Sequence, residues 1–262
     1  MRLIRLSRSV LGGLPFAQPQ SSYSMSTSTG TNIPALRLSK IARRYGSRWA
    51  LRGVSLELAP GETVAIVGHN GSGKSTLLRI CCTALRPTAG EGWAYGWHLV
   101  HQAGEVRRLV AFFAHVPGLY EDLTAWENLR FAARMLDRPE REIEPLLERV
   151  GLWEERQERV RGFSAGMQRR LALARLLLGR PRLLLLDEPY NNFDPAGIEL
   201  VNEVVREVCE GGGAAMIVVH DRRQGGAVAH RFIELADGRV LSDSVAVPEM
   251  RAQTRAIAQR RF

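Results

Sequence analysis

The chain has 262 residues, 45% of them hydrophobic and 24% charged, which is ordinary for a globular protein. This length allows one substantial α/β core with room for a small subdomain. No apolar run reaches the ~20 residues that a membrane-spanning helix needs, so we expect no segment to cross a bilayer. The three cysteines, Cys81, Cys82 and Cys209, fit neither a disulfide framework nor a metal-binding spacing.

The net charge of +9 is concentrated at the two ends of the chain. Residues 1–56 hold nine basic side chains and no acidic one, and the last thirteen residues hold four arginines and no acid. The middle is therefore net acidic, which does not indicate a core that binds nucleic acid. The basic ends, including a predicted tail at 246–262, favour an anionic membrane surface or a partner subunit. Tails that are simply solvated explain the charge equally well.

Residues 1–33 are predicted to form a tail outside the fold. Arg2, Arg5 and Arg8 alternate with apolar residues and are followed by Gly, Pro, Gln and Ser without any acid. Three interpretations remain open: a natural translation start at Met25, an organelle-targeting peptide, or a secretion signal. In each case the segment is excluded from fold reasoning.

The first regular patterns are strand-like. Leu36–Ile41 and Gly53–Leu58 alternate apolar and polar residues, as strands with one buried face do. Between them, Arg43–Gly46 predicts a turn that carries the aromatic Tyr45. Two antiparallel strands ahead of the Pro60-Gly61 turn indicate a β-subdomain fused to an α/β core. Tyr45 could cover a sheet edge or stack on an adenine ring.

The stretch from Val64 to Thr76 predicts a short buried strand, a glycine-rich turn and a helix that begins at Lys74. Its spacing, G-x-x-x-x-G-K-S, is that of the P-loop. Glycines let several backbone N–H groups approach a polyphosphate, and the helix points its positive end at the same anion. Lys74 would pair with the β- and γ-phosphates of ATP, and the Ser75 hydroxyl would bind Mg²⁺. The candidate ATP-binding residues of this loop are Gly68, His69, Asn70, Gly71, Ser72, Gly73, Lys74, Ser75 and Thr76.

A helical block follows two strand-like patterns, at 90–97 and 109–113. Thr124 and Glu127 have the spacing of a capping box, in which each side chain satisfies a free backbone N–H of the other residue at a helix start. We predict a helical subdomain over about 116–166, inserted into the core.

The α/β alternation then resumes. An apolar helix is predicted at Leu171–Leu178. Leu183–Leu186 and Ala215–Val219 are continuous apolar strands, typical of a parallel sheet buried on both faces. Asp194 is predicted to cap a helix that has proline at its first position. A hairpin over 232–241 ends the predicted fold.

Three polar side chains follow the two buried strands. Asp187 ends the first strand and is suited to hold Mg²⁺ through its water shell. Glu188 comes next and can take a proton from an attacking water. His220 follows the second strand and could contact the γ-phosphate or orient the water. Together with the P-loop, these residues predict ATP hydrolysis.

Residues 36–242 resemble an ABC-type nucleotide-binding domain. The most specific match is Phe163–Met167, the family signature, which P-loop kinases and small GTPases lack. Asn192–Asp194 matches the D-loop, and Tyr45 matches the adenine-stacking aromatic. The resemblance implies a P-loop NTPase (RecA-like) core with an antiparallel β-subdomain and an inserted helical subdomain, all within 34–245.

The resemblance also implies partners. Two such domains form a head-to-tail dimer around two ATP molecules, so Ser164, Ala165 and Gly166 would act on the nucleotide of the other domain. Integral membrane permease subunits would complete the transporter, with no nucleic acid involved. The chain would lie peripherally on the cytoplasmic face of the inner membrane, and a mitochondrial location is the alternative.

Two positions depart from the family pattern. Met167 stands where glutamine is usual, and His115 stands at the position of the Q-loop glutamine. The segment His115–Phe131 resembles the ATP-binding subunit of the haem-exporter type used in cytochrome c maturation. This similarity implies haem export. The alternatives are an exporter of drugs, polysaccharides or lipids and, further away, a non-transport ABC ATPase.

Overall fold

The computed structural model describes residues 33–245, and the predictions made for the two tails lie outside this range except at Ile33. The described chain forms two β-sheets flanked by helices. The strands are β1 (Leu36–Tyr45), β2 (Arg48–Leu58), β3 (Thr63–Val67), β4 (Ala89–Ala94), β5 (Trp97–His98), β6 (Val110–Phe113), β7 (Leu183–Asp187), β8 (Ala214–Val218), β9 (Arg231–Ala236) and β10 (Arg239–Val245). The helices are α1 (Lys74–Cys81), α2 (Ala103–Leu109), α3 (Ala125–Met135), α4 (Ile143–Arg149), α5 (Ala165–Leu178), α6 (Pro195–Glu210) and α7 (Arg222–Gly225).

The smaller sheet is antiparallel, with strand order β2-β1-β4-β5. The predicted turn at Arg43–Gly46 begins too early, because β1 continues to Tyr45, which pairs with Arg48 across a turn at Gly46 and Ser47. Register shifts interrupt the β1–β2 pairing, among them one between Arg43 and Arg44. Each irregularity breaks the two-residue alternation by which a strand is recognised, so the pattern hid the strand ends.

The larger sheet has the order β10-β9-β3-β8-β7-β6, and all neighbours except β10 and β9 pair in parallel. Strands β3, β7 and β8 are buried at every position, as their continuous apolar sequences predict. Ala65 and Val67 pack into one core with α5 and α6, whereas Val64 and Ile66 pack into a second core with α1 and the smaller sheet. The sheet therefore separates two hydrophobic layers, and its parallel strands end at one common edge.

The helical insertion contains α3 and α4, which both pack against α5. Its first helix begins as predicted. The Thr124 hydroxyl oxygen accepts a hydrogen bond from the Glu127 N–H at 3.1 Å, and the Glu127 carboxylate accepts one from the Thr124 N–H at 2.9 Å. The capping box is confirmed.

Thr124→Ala should lower the free energy of unfolding by about 1 kcal/mol, because the Glu127 N–H loses its acceptor at the start of α3. For a domain of this size that loss corresponds to a fall in Tm of roughly 2–4 °C. Thr124→Ser keeps the hydroxyl and is the control. Equal melting temperatures for the Ala and Ser variants would contradict the role of this hydroxyl.

Helix α5 begins earlier than the predicted Leu171. Ser164 is its N-cap, with its hydroxyl oxygen accepting from the Met167 N–H at 3.2 Å. The prediction started where the apolar run starts, but a helix start is set by the residue that satisfies its free N–H groups. One consequence is that Arg169 lies inside the helix, on its buried side. Within residues 33–245, no helix is long and apolar enough to cross a bilayer.

Candidate active site

The loop between β3 and α1 has a backbone that only glycine fits. Gly68 and Gly73 have φ values of 149° and 108°. A Cβ atom on Gly68 would lie 2.1 Å from the carbonyl oxygen of Leu235, and one on Gly73 would lie 2.5 Å from that of Ala50. The loop is therefore pressed against backbone on two sides. This close approach holds its N–H groups in a fixed arrangement ahead of helix α1.

Lys74 lies in the mouth of this loop and is 6% exposed. Its ammonium donates hydrogen bonds to the carbonyl oxygens of Gly68 at 2.7 Å and His69 at 3.0 Å. Burial lowers the pKa of Lys74, and the nearby carboxylates of Glu188 and Asp187 oppose that shift. A cation placed between loop carbonyls and carboxylates is suited to pair with phosphate oxygens.

Ser75 and Asp187 bring two oxygens together beside Lys74. The Ser75 hydroxyl donates to the Asp187 carboxylate at 3.2 Å. Burial raises the pKa of Asp187, and the hydrogen bond from Ser75 works in the opposite direction. Among the described residues, no cluster of three His, Cys, Asp or Glu side chains could hold a metal ion by itself. A hydroxyl and a carboxylate do fit Mg²⁺, which keeps waters and takes its other ligands from phosphates.

The Glu188 carboxylate is the point at which three other polar side chains converge. One of its oxygens lies 3.3 Å from His115 Nδ1 and accepts a hydrogen bond from the Asn191 amide at 2.9 Å. The other lies 3.3 Å from His220 Nε2. Glu188 also has a φ of 50°, a left-handed conformation that is uncommon for a non-glycine residue. The structure thus brings together two histidines predicted from separate segments.

Sequence reasoning missed two residues that contact Glu188. Asn191 lies three positions after it in a loop, where an amide carries no distinctive signal. Arg169 is 2% exposed and donates to the Glu188 carbonyl oxygen at 2.6 Å. One signal could have identified Arg169: it shares a helical face with Ala172 and Leu173, which are buried.

Tyr45 is half-exposed at the end of β1. The Arg43 guanidinium lies 4.8 Å from the centre of its ring. Arg48, which pairs with Tyr45 across the hairpin, reaches the P-loop: a Cβ on Gly71 would lie 3.6 Å from the Arg48 guanidinium. The hairpin that carries the aromatic thus borders the phosphate-binding loop. Its stacking on adenine stays a prediction.

The signature and the D-loop lie next to each other. Ser164 and Ala165 are exposed, and a Cβ on Gly166 would lie 3.2 Å from the carbonyl oxygen of Asn192. Asp194 caps α6 by accepting a hydrogen bond from the Gly197 N–H at 2.9 Å. This hydrogen bond is the main reason why the pKa of Asp194 is lowered. Within residues 33–245, no hydrogen bond joins the signature triplet to the P-loop.

The parallel sheet, the glycine loop with its lysine, and the acidic pair at the neighbouring strand end define a P-loop nucleoside triphosphatase. Comparison with known proteins makes this more specific. Residues 51–191 match the ABC transporter family. The chain therefore belongs to the ABC transporter ATP-binding family, and it is an ATPase.

The relatives in this family take part in different processes. The chain is 34% identical to a daunorubicin resistance ATP-binding protein of Streptomyces coeruleorubidus, over 84% of this chain and 71% of that protein. It is 39% identical to a cytochrome c biogenesis ATP-binding export protein of Xanthomonas campestris pv. campestris, over 67% of this chain and 81% of that protein. A dimeric ATP-binding cassette solved in a post-hydrolysis state with ADP and Pi superimposes with a TM-score of 0.72 at 25% identity, covering 81% of this chain and 99% of that one.

Proposed function

We propose that this chain is the ATP-hydrolysing subunit of an exporter, and that Glu188 is the general base. The observation that carries the proposal is the convergence of His115, His220 and Asn191 on the Glu188 carboxylate. Glu188 follows Asp187 directly, at the edge of the sheet that carries the glycine loop and Lys74. A carboxylate held by several partners beside a phosphate site is placed to accept a proton from water.

The other side chains divide the remaining tasks. Lys74 exchanges its loop carbonyls for phosphate oxygens when ATP binds. Ser75 and Asp187 would hold Mg²⁺, which would supply positive charge beside the phosphates. His220 contacts one oxygen of Glu188 and orients the carboxylate toward the γ-phosphate. His115, at the Q-loop position, contacts the other oxygen, so it is directed at the site.

A dimer accounts for the position of the signature. Ser164 and Ala165 are exposed and make no hydrogen bond to the P-loop of their own chain, within the described residues. In a head-to-tail dimer, Ser164 and Ala165 of one copy would lie against the nucleotide bound to the other copy. The N-terminal end of α5 favours an anion at that position. The dimeric post-hydrolysis cassette named above supports this arrangement for the present chain.

A groove beside α3 is the proposed contact with the permease. It has a volume of about 350 Å³ and is lined by Tyr120, Phe131, Met135 and Leu136 among others. The first three side chains are 53%, 45% and 72% exposed, which is unusual for large apolar residues so close together. Because family members work with membrane subunits, we assign this groove to a helical segment of a separate permease, at the cytoplasmic face of the inner membrane. The relatives named above give no support to the mitochondrial alternative.

Met135→Glu should reduce association with the permease and recovery in the membrane fraction, because it places a charge in the apolar groove. Its melting temperature should stay within about 1–2 °C of wild type, since the side chain is largely exposed. Leu241→Glu is a matched control, because Leu241 is 67% exposed against 72% for Met135. If both variants co-purify with the membrane protein as wild type does, the groove is not the docking site. Recovery of nucleic acid in place of a permease would instead favour a non-transport ATPase.

We infer haem as the exported substrate from the similarity to the cytochrome c biogenesis protein. Disrupting the gene in its own host should abolish c-type cytochromes, measured by haem peroxidase staining. Wild-type chain should restore them and Glu188→Gln should not. Normal c-type cytochromes together with a new drug sensitivity would favour an alternative, an exporter of drugs, which the similarity to the daunorubicin resistance protein supports.

A further inference from the structure

Arg169 joins three separate segments of the catalytic side of the molecule. One terminal nitrogen donates to the carbonyl oxygens of Ala114 at 3.1 Å and His115 at 3.0 Å. The other donates to the Glu188 carbonyl oxygen at 2.6 Å. The guanidinium carbon lies 4.4 Å from the centre of the Phe113 ring. A single buried side chain on the signature helix thus holds the end of β6 and the residue after β7.

We propose that Arg169 is a positioning residue for ATP hydrolysis, which fixes the backbone of Glu188 and His115 so that the two side chains meet. The proposal rests on the role of Glu188 as general base. It adds that the signature helix α5 and the base of the same chain are mechanically linked. Movement of α5 would change the position of Glu188 through this guanidinium.

The geometry requires an arginine's planar fork. The carbonyls that it contacts lie in the two segments that follow β6 and β7, so the donors must diverge, and two terminal nitrogens separated by a rigid plane achieve this. Lysine presents one point charge and cannot reach both segments with the same geometry. Glu188 also needs such an anchor, since its left-handed backbone is costly for a non-glycine residue and persists only when its surroundings fix it.

The burial of this cation shows that packing alone does not explain it. Arg169 is 2% exposed, and its Nε has no hydrogen-bond partner within the described residues. A buried charge with an unsatisfied donor is expensive compared with an apolar side chain of the same size. The cost is offset at the contacts to Glu188, His115 and Ala114. The residue therefore stabilises an arrangement at the site more than it stabilises the core.

Arg169→Met tests the proposal, because it keeps the length of the side chain and removes all three hydrogen bonds. We expect kcat to fall on the order of 100-fold, because a small displacement of a catalytic group lowers the rate by about this factor. ATP affinity, measured with a fluorescent ATP analogue, should stay within about twofold of wild type, because the P-loop is untouched. An ATP-bound dimer should accumulate on size-exclusion chromatography, which is a readout independent of turnover.

A double variant separates positioning from general destabilisation. In single-turnover measurements with Glu188→Gln, adding Arg169→Met should lower the residual rate by less than about twofold, since the base is already gone. If Arg169→Met lowers the rate in the Glu188→Gln background as much as it does in the wild-type chain, the proposal is overturned. Wild-type turnover or a loss of ATP affinity in the single variant Arg169→Met would also overturn it. Arg169→Lys guards against failure to fold: it keeps the buried cation, and we expect it to lose about tenfold in kcat. Wild-type kcat in Arg169→Lys would also overturn it.

Arg156→Met is the matched control. Arg156 likewise donates to a backbone carbonyl, that of Trp153 at 2.8 Å, and stacks on the Trp153 ring at 4.2 Å. It lies in the helical insertion and should leave kcat unchanged. Normal turnover in Glu188→Gln itself would refute the assigned base. Normal turnover in Arg169→Met beside an inactive Glu188→Gln would refute only the role of Arg169.

Discussion

Glu188→Gln should lower kcat for ATP hydrolysis by roughly 10²- to 10⁴-fold, because an amide cannot accept the proton that the carboxylate takes from water. The substitution preserves shape, so the Asn191 and histidine contacts can re-form around the amide. Lys74, Ser75 and Asp187 are unchanged, and ATP affinity should therefore stay near that of wild type. Steady-state phosphate release gives kcat, and a fluorescent ATP analogue gives the dissociation constant.

The same variant should accumulate an ATP-bound dimer, since hydrolysis is the step that would separate the two copies. Glu142→Gln is a close control: the Glu142 side chain is 20% exposed against 19% for Glu188, and it pairs with Arg180 at 2.8 Å away from the site. It should hydrolyse ATP like wild type. Turnover by Glu188→Gln at the rate of Glu142→Gln would remove Glu188 as the base.

Local signals explain what could be predicted about the site. The P-loop is one continuous stretch in which spacing, glycine content and the following helix all carry information, so its residues could be assigned from sequence. The capping box at Thr124 and the N-cap at Asp194 are equally local, and both form as predicted. Asp187 and Glu188 follow a continuous apolar strand, which fixes their place at the edge of the sheet.

Contacts between distant segments could not be predicted in this way. That His115 faces Glu188 depends on how β6 and β7 lie side by side, with Phe113 opposite Leu186. The role of Arg169 depends on the same pairing, because its guanidinium reaches across both strand ends. The helical face that Arg169 shares with Ala172 and Leu173 indicates that it is buried, but sequence alone does not show which carbonyl groups its guanidinium contacts.

Gly68→Ala should be among the most damaging substitutions in the chain. The added methyl group would lie 2.1 Å from the carbonyl oxygen of Leu235, which belongs to β9 and cannot move without shifting the central sheet. The φ of 149° at Gly68 is also one that alanine rarely adopts. We expect the free energy of unfolding to fall by about 4 kcal/mol or more. That loss corresponds to a fall in Tm of roughly 8–16 °C.

Gly71→Ala separates the clash from the backbone strain. Gly71 lies in the same loop with a φ of 83°, but the nearest atom to its added Cβ is on the Arg48 side chain, 3.6 Å away. It should therefore lose only the ~1–2 kcal/mol of a left-handed alanine. ATP binding should largely survive in Gly71→Ala and be lost in Gly68→Ala, because only the second displaces the loop from β9. Thermal melts and binding of a fluorescent ATP analogue measure both effects. Indistinguishable melting temperatures for the two variants would mean that the loop can move away from Leu235, and that close packing does not fix the phosphate cradle.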